Sequence, residues 1–340
     1  MVLKDKTMIS RINTPQWFSD SLRQLSEQDG KEIISYGLEI KLLQPVFGVA
    51  KDFSEIDGWK ILEQEPKAEK VFEKLWKNIT ERKNRSTAAI QSLLQIKTLF
   101  FARVAPLSIE RITITKENEH DVYFIFVEKG ATCTITLDEI GSHVVCLYAE
   151  EGSKVIFHTY SKEKGNTLSL IEAEIAKNVE YEFVSHIEEG HYFVGERFIT
   201  VLGEGSDVRS NTYIEAKEGG VVDVREYITL CANNSDAEVI VRGVGEKKSR
   251  IIVRGNIHAK SGLQNLYGNQ SFAFLMLDND AEVDAMPDLS IEANAVSFSH
   301  ACAIHDIPSA LSSYLYTRGF DAETARGMYK DAFLQKRIAE

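Results

Sequence analysis

The densest run of metal-ligating side chains in this 340-residue sequence is Ser299-His300-Ala301-Cys302-Ala303-Ile304-His305-Asp306. Imidazole and thiolate both ligate iron. In an extended strand His300 and Cys302 fall on one face, with Cα atoms about 7 Å apart. The pair then amounts to half of a site that a second subunit completes. Ordinary packing is the competing reading, with Cys302 a small buried residue and His300 a hydrogen-bonded strand residue. His186 and His191 flank Glu188-Glu189-Gly190. They could face each other across a glycine turn, but an acidic hairpin corner explains them without a metal. His143 and His158 fall on different predicted strands and suggest no pairing. Cys133, Cys146 and Cys231 lie within predicted strands and read as packed thiols. No CxxC pair occurs, so neither a disulfide framework nor a structural zinc site is expected.

Other chemistries find less support. The formal net charge of -12 repels phosphate backbones, so no nucleic-acid partner is expected. Acidic residues concentrate at corners such as Glu150-Glu151 and Glu188-Glu189, where solvation accounts for them. Trp17, Trp59 and Trp76 all lie in the amino-terminal part. A carbohydrate-active solenoid would carry aromatics along its strands beside opposed carboxylates, which makes that enzyme the weaker alternative. Neither GxxxxGK[ST] nor GxGxxG is present, so ATP hydrolysis and a tightly bound dinucleotide or flavin are not expected of this chain. No apolar run is long enough to span a bilayer, and MVLKDKTMISRINT lacks the apolar region of a secretory signal. The expectation is a cytoplasmic protein without membrane contact.

Three regions must position these residues: 1–97, largely helical; 98–305, a β core; and 306–340, a helical hairpin. Thr14-Pro15 opens a helix with Trp17, Phe18, Leu22 and Leu25 on one stripe. Val71, Phe72, Leu75 and Ile79 form the apolar face of a second, from about Glu65 to Thr80, and Ser86–Ile96 repeats the pattern. From Leu99 the period becomes two. Short Val-, Ile-, Thr- and Tyr-rich segments alternate with corners such as Glu-Lys-Gly130-Ala, Glu-Glu-Gly152-Ser and Asn233-Asn-Ser-Asp. The spacing is loose, yet recurring corners favour a β-solenoid over a sandwich. After Ile304, Pro308 starts one helix and Gly319 stops it. Asp321 caps another, with Ala325, Met328, Tyr329 and Phe333 on its buried side. The apolar stretches near Phe272–Leu277 and Ala295–Ile304 are expected at a subunit interface, through Leu275 and Leu277.

The stretch Ser249–Ile304 resembles the SufB/SufD proteins of iron–sulfur cluster assembly. The resemblance rests on Arg254-Gly255, Gln270 before an apolar run, Met286-Pro287-Asp288-Leu289, Glu292 and Ser299-His300. The tail, with Tyr314-Leu315 and Arg318-Gly319, resembles the family's closing helical hairpin. This implies a right-handed parallel β-helix with helical ends, acting as a non-catalytic scaffold. It implies pairing with a SufB-like chain or with itself, a SufC-type ATPase docked on the hairpin, and an iron–sulfur cluster held only transiently. In this reading Leu311, Tyr314, Leu315, Arg318, Phe320, Met328 and Phe333 form the docking surface, and His300 and Cys302 are the candidate cluster ligands. Ser271 stands near the place where SufB-type chains carry an acceptor cysteine, which makes the resemblance more SufD-like. Phe298 and Ala301 depart from the residues that flank Ser-His in SufD-type chains.

Overall fold

The computed structural model describes residues 8–11, 66–82, 98–115, 121–138, 141–162 and 165–334. The helices expected at Thr14–Leu25 and Ser86–Ile96 lie outside them. Strands numbered along the chain alternate between two sheets. The first contains β1 (Met8–Arg11), β2 (Thr98–Val104), β4 (Asp121–Val127), β6 (His143–Ala149), β8 (Thr167–Ile175), β10 (Tyr192–Val201), β12 (Val221–Leu230), β14 (Arg250–Ala259) and β16 (Glu282–Ile291), in that order. The second contains β3 (Ile109–Thr115), β5 (Thr132–Asp138), β7 (Lys154–Lys162), β9 (Glu180–Glu189), β11 (Asp207–Ala216), β13 (Asp236–Gly245), β15 (Tyr267–Met276) and β17 (Ser297–Asp306).

Among the described residues every pairing is parallel except that of β1 with β2. A sandwich built from hairpins would pair antiparallel, so the solenoid expectation holds. Strict repetition is absent because the coils widen. Residues in contact across neighbouring coils are 22 positions apart at Lys129–Glu151. The separation becomes 26 at Lys154–Glu180, 29 at Arg197–Glu226 and 32 at Asn256–Asp288. Strands lengthen from 7 residues in β4 to 9 in β8 and 10 from β10 onward.

One edge of the solenoid is a ladder of left-handed residues. Leu107, Gly130, Gly152, Asn178, Gly205, Asn234, Asn265 and Ala295 all have φ between 54° and 78°. Each of the first seven donates its amide to a carbonyl in the next corner, as Gly130 does to Glu151 at 3.0 Å and Asn265 to Ala295 at 3.3 Å. Glycine and asparagine tolerate this conformation, and they fill the inner corners. Only the two end corners carry Leu and Ala.

Inward side chains of both sheets form a continuous apolar core from Val104 to Phe274. The outer face of the first sheet is also buried, beneath α1 (Pro66–Glu81). Phe72, Leu75, Trp76 and Ile79 pack there against Phe101, Phe124 and Phe126, with the rings of Phe72 and Phe124 stacked at 4.6 Å. This is the stripe read from the sequence, except that Val71 is only half-buried. Arg82, just past the helix, gives Glu172 two contacts of 2.7 and 2.8 Å and lies 3.6 Å over the ring of Phe198. No helix among the described residues is long and apolar enough to cross a membrane.

The chain closes with α2 (Ser309–Thr317) and α3 (Ala322–Phe333). Gly319 has φ +88°, and the Asp321 carboxylate accepts the Thr324 amide at 2.7 Å, as the sequence indicates. α3 lies on the outer face of the second sheet. Leu334, Tyr329 and Phe333 cover Val244, Leu275 and Leu277. Arg326 donates to the Leu277 carbonyl at 2.9 Å, and Lys330 bonds Glu215 and Glu246 at 2.5 and 3.0 Å. Leu275 and Leu277 are therefore no free interface. They are 0% and 9% exposed because the chain's own α3 and the residue after it cover the outer face of the second sheet there. Met328 also differs from expectation, at 43% exposed on the outer side of α3.

Candidate functional site

β16 and β17 are the outermost strands of their sheets among the described residues, and they form the wide end of the solenoid. Phe298, His300, Cys302 and Ile304 of β17 are in register with Gly268, Gln270, Phe272 and Phe274 of β15, which are all buried. The first four thus continue an interior column, but no further strand among the described residues covers them. His300, Cys302 and Ile304 are exposed, and the sheet edges leave backbone donors and acceptors unpaired. A coil normally hidden inside a solenoid lies open here.

His300 is oriented. Its Nδ1 lies 3.0 Å from the carbonyl oxygen of Pro287. A carbonyl only accepts, so Nδ1 carries the proton and Nε2 keeps its lone pair for a proton or a metal. Beneath it, Gln270 Nε2 donates to the Asp288 carbonyl at 2.6 Å. Gly255 lies against Gln270 Oε1, where a Cβ would come within 2.5 Å. Gly255, Gln270, Pro287-Asp288 and His300 are scattered over more than forty positions of the chain, yet they meet at one place. Cys302 shares the inward face with His300 and is the exposed cysteine of the four. Partial burial raises its thiol pKa above the ordinary value, so metal binding would have to displace the proton. Among the described residues no three His, Cys, Asp or Glu side chains lie close enough to hold a metal ion. The described residues offer at most part of a site.

Residues 102–333 match the family model for the SUF system FeS cluster assembly SufBD core domain. The chain belongs to the SufB/SufD family. It is 33% identical over 128 residues to an iron–sulfur cluster assembly SufBD family protein of Archaeoglobus fulgidus. It is 29% identical over 136 residues to one of Methanothermobacter thermautotrophicus, and 26% over 131 to the iron–sulfur cluster assembly protein SufD of Escherichia coli. These alignments cover 38–40% of this chain and 31–34% of each relative, so the chain spans about a third of the curated relatives it matches.

In this SufB/SufD-family chain the hairpin tip is the second exposed feature. Tyr314 is 53% exposed with Arg318 5.2 Å over its ring, and Tyr316, Phe320 and Met328 are exposed beside it. Leu315 is half-buried, and Phe333 is turned toward the solenoid, 6.3 Å from the ring of His305. The side chain of Leu311 lies outside the described residues.

Other sequence candidates disperse. His186 and His191 do not face each other, because β9 and β10 belong to different sheets. No hairpin exists at that corner. His186 is stacked between Tyr160 and Tyr213 at 5.3 and 5.0 Å. Cys133 and Cys146 are buried in strands, and burial with nearby Glu110 pushes the Cys133 thiol up to about 12. Cys231 sits just after β12 rather than within a strand.

The expectation that acidic residues concentrate at solvated corners misses a buried set. Glu172, Glu189, Glu196, Glu226 and Asp223 are all buried. Arg197 Nη1 donates to Thr212 at 2.8 Å and to Glu226 at 3.1 Å inside the solenoid, and Ser210 donates to the same carboxylate. The guanidinium also lies 4.4 Å over the ring of Phe183. The signal was in the parity: Arg197 shares the parity of inward Phe193, Gly195, Ile199 and Val201, and Glu226 that of Val222, Val224, Ile228 and Leu230.

His143 is a further buried polar group, with Nδ1 2.8 Å from the Gly141 carbonyl and Nε2 2.9 Å from Ser169 Oγ. Burial pulls its pKa from 6.5 down to about 4, against the Gly141 hydrogen bond and with a smaller push from Arg197. A depressed histidine stabilises the fold above its unfolded value, and that stability is lost as pH falls from 6.5 toward 4. The loss should reach about 3 kcal/mol. Denaturant titrations at pH 7.5 and 4.5 measure it, and His143→Gln should remove most of the difference between them. An equal acid loss in the variant would assign the effect to other groups.

Proposed function

We propose that this chain is a non-catalytic scaffold of SUF-type iron–sulfur cluster assembly. It presents the open coil of β16 and β17 to a SufB-like chain or a second copy, and binds a SufC-type ATPase through the tip of α2 and α3. The carrying observation is the terminal coil itself. An oriented imidazole and an exposed thiol share one face of an unpaired edge strand, in a core that belongs to this family. A nascent cluster, as cargo, would find there an imidazole from one side of the interface and further ligands from the partner. Ser271, near the place where SufB-type chains carry an acceptor cysteine, supports a SufD-like division of labour, because a hydroxyl accepts neither persulfide sulfur nor iron as a thiolate does. The exposed aromatics of the hairpin tip support the docking role, being the side chains that most often anchor protein interfaces.

The test is reconstitution on the complex co-purified from native cells, with iron, subunit identity and mass measured together. His300→Ala should lower cluster yield about tenfold or more, since losing even an outer-shell partner of a ligand costs about 10–100-fold in metal affinity, without changing ATPase binding. Cys302→Ser reports the share of the thiol. If only Cys302 matters, the thiol holds the role assigned to the imidazole. If neither change alters yield, both residues are structural. The subunit list separates pairing with a SufB-like chain from a homodimer.

A further inference from the structure

Gln270 is 0% exposed and makes one hydrogen bond with its amide nitrogen, while its Oε1 has no partner among the described residues. An unpartnered buried carbonyl is costly, and a leucine of similar volume would fill the place without that cost. Packing therefore does not explain an amide here; its N–H donor does. That donor holds the Asp288 carbonyl, and the adjoining carbonyl, of Pro287, accepts Nδ1–H of His300. Gly255 fits the same purpose, since a Cβ there would meet Oε1 at 2.5 Å and the Phe272 ring at 2.7 Å. Neutral imidazole has two tautomers, chosen by the hydrogen bond one nitrogen makes.

We infer that Gln270 is the positioning residue of the terminal site: it fixes the Pro287-Asp288 backbone so that His300 is held as the Nδ1–H tautomer with Nε2 facing the open end. This rests on His300 being the working group proposed above. Gln270 touches neither cargo nor metal, and acts only through the β16 backbone.

The full-length chain labelled with 15N-histidine reports the tautomer directly by NMR, with cluster yield measured in parallel. Wild type should show His300 protonated at Nδ1. Gln270→Leu should give mixed tautomers and a yield several-fold lower, with unfolding stability equal or higher. Gln270→Glu separates donation from packing. A carboxylate cannot donate to Asp288, so tautomer and yield should resemble Gln270→Leu at high pH and recover as the buried carboxyl protonates on acidification. Should the leucine variant fail to fold, the glutamate variant at two pH values decides alone. A single Nδ1–H tautomer and full yield in either variant, while His300→Ala loses yield, would overturn the positioning role and leave the site reading intact. Full yield in His300→Ala would remove the site reading, and the positioning role with it.

Discussion

Arg197→Met is expected to lower the unfolding free energy by about 3–5 kcal/mol, because it leaves Glu226 charged and unpaired inside the solenoid. Arg197 and Glu226 are 1% and 0% exposed, and the carboxylate would keep only the Ser210 hydroxyl. Burial itself lowers the Arg197 pKa and Glu226 opposes that, so the pair is mutually dependent. The double variant Arg197→Met/Glu226→Leu removes both charges and should recover most of the loss, since well-packed apolar pairs often equal buried ion pairs. Urea unfolding of the wild type, the two single variants and the double variant measures the coupling. A single variant within 1 kcal/mol of wild type would mean that water enters the solenoid and solvates the carboxylate.

Leu275→Lys should detach the carboxyl-terminal hairpin while sparing the coils. Leu275 is fully buried beneath Leu334, Tyr329 and Phe333, and an ammonium there has no partner within the apolar cluster. A lone charge in such a place costs several kcal/mol unless the cover opens. The cover is a two-helix arm held by few side chains, so opening it is easier than unfolding the stacked strands behind it. Limited proteolysis should cut between Asp306 and Asp321 at least tenfold faster than in wild type, with the β-sheet circular dichroism retained. ATPase binding should fall with it. Unchanged proteolysis would show that the hairpin is held chiefly by Arg326, Lys330 and their carboxylate partners.

These experiments mark how far the sequence could be read. The solenoid, the helix around Phe72 and the closing hairpin were legible because each depends on a local signal. Period two, a 3.6-residue stripe, and Gly319 followed by Asp321 are examples. That His300 and Cys302 share one strand face was legible from the same period of two. What could not be read depends on which coil lies next to which. Leu275 looks like an edge residue until α3 is seen to cover it. Glu189 looks like a corner residue, yet it is buried. The convergence of Gly255, Gln270, Pro287 and His300 needs the coil length, and the widening of the coils removes the fixed period that would have supplied it.

That widening also makes the solenoid non-modular. In an array of equal units, one unit can be lost or copied and its neighbours close over the change. Here the coils lengthen along the chain, from 7-residue strands in β4 to 10-residue strands from β10 onward, so they are not interchangeable. A coil with 7-residue strands, such as β4 and β5, could not stand in for one with 10-residue strands, such as β12 and β13, without leaving part of each neighbouring strand unpaired. The coils behave as nested rings with one stacking order. A coil added past the widest one would cover the inward face of β17, and with it His300 and Cys302.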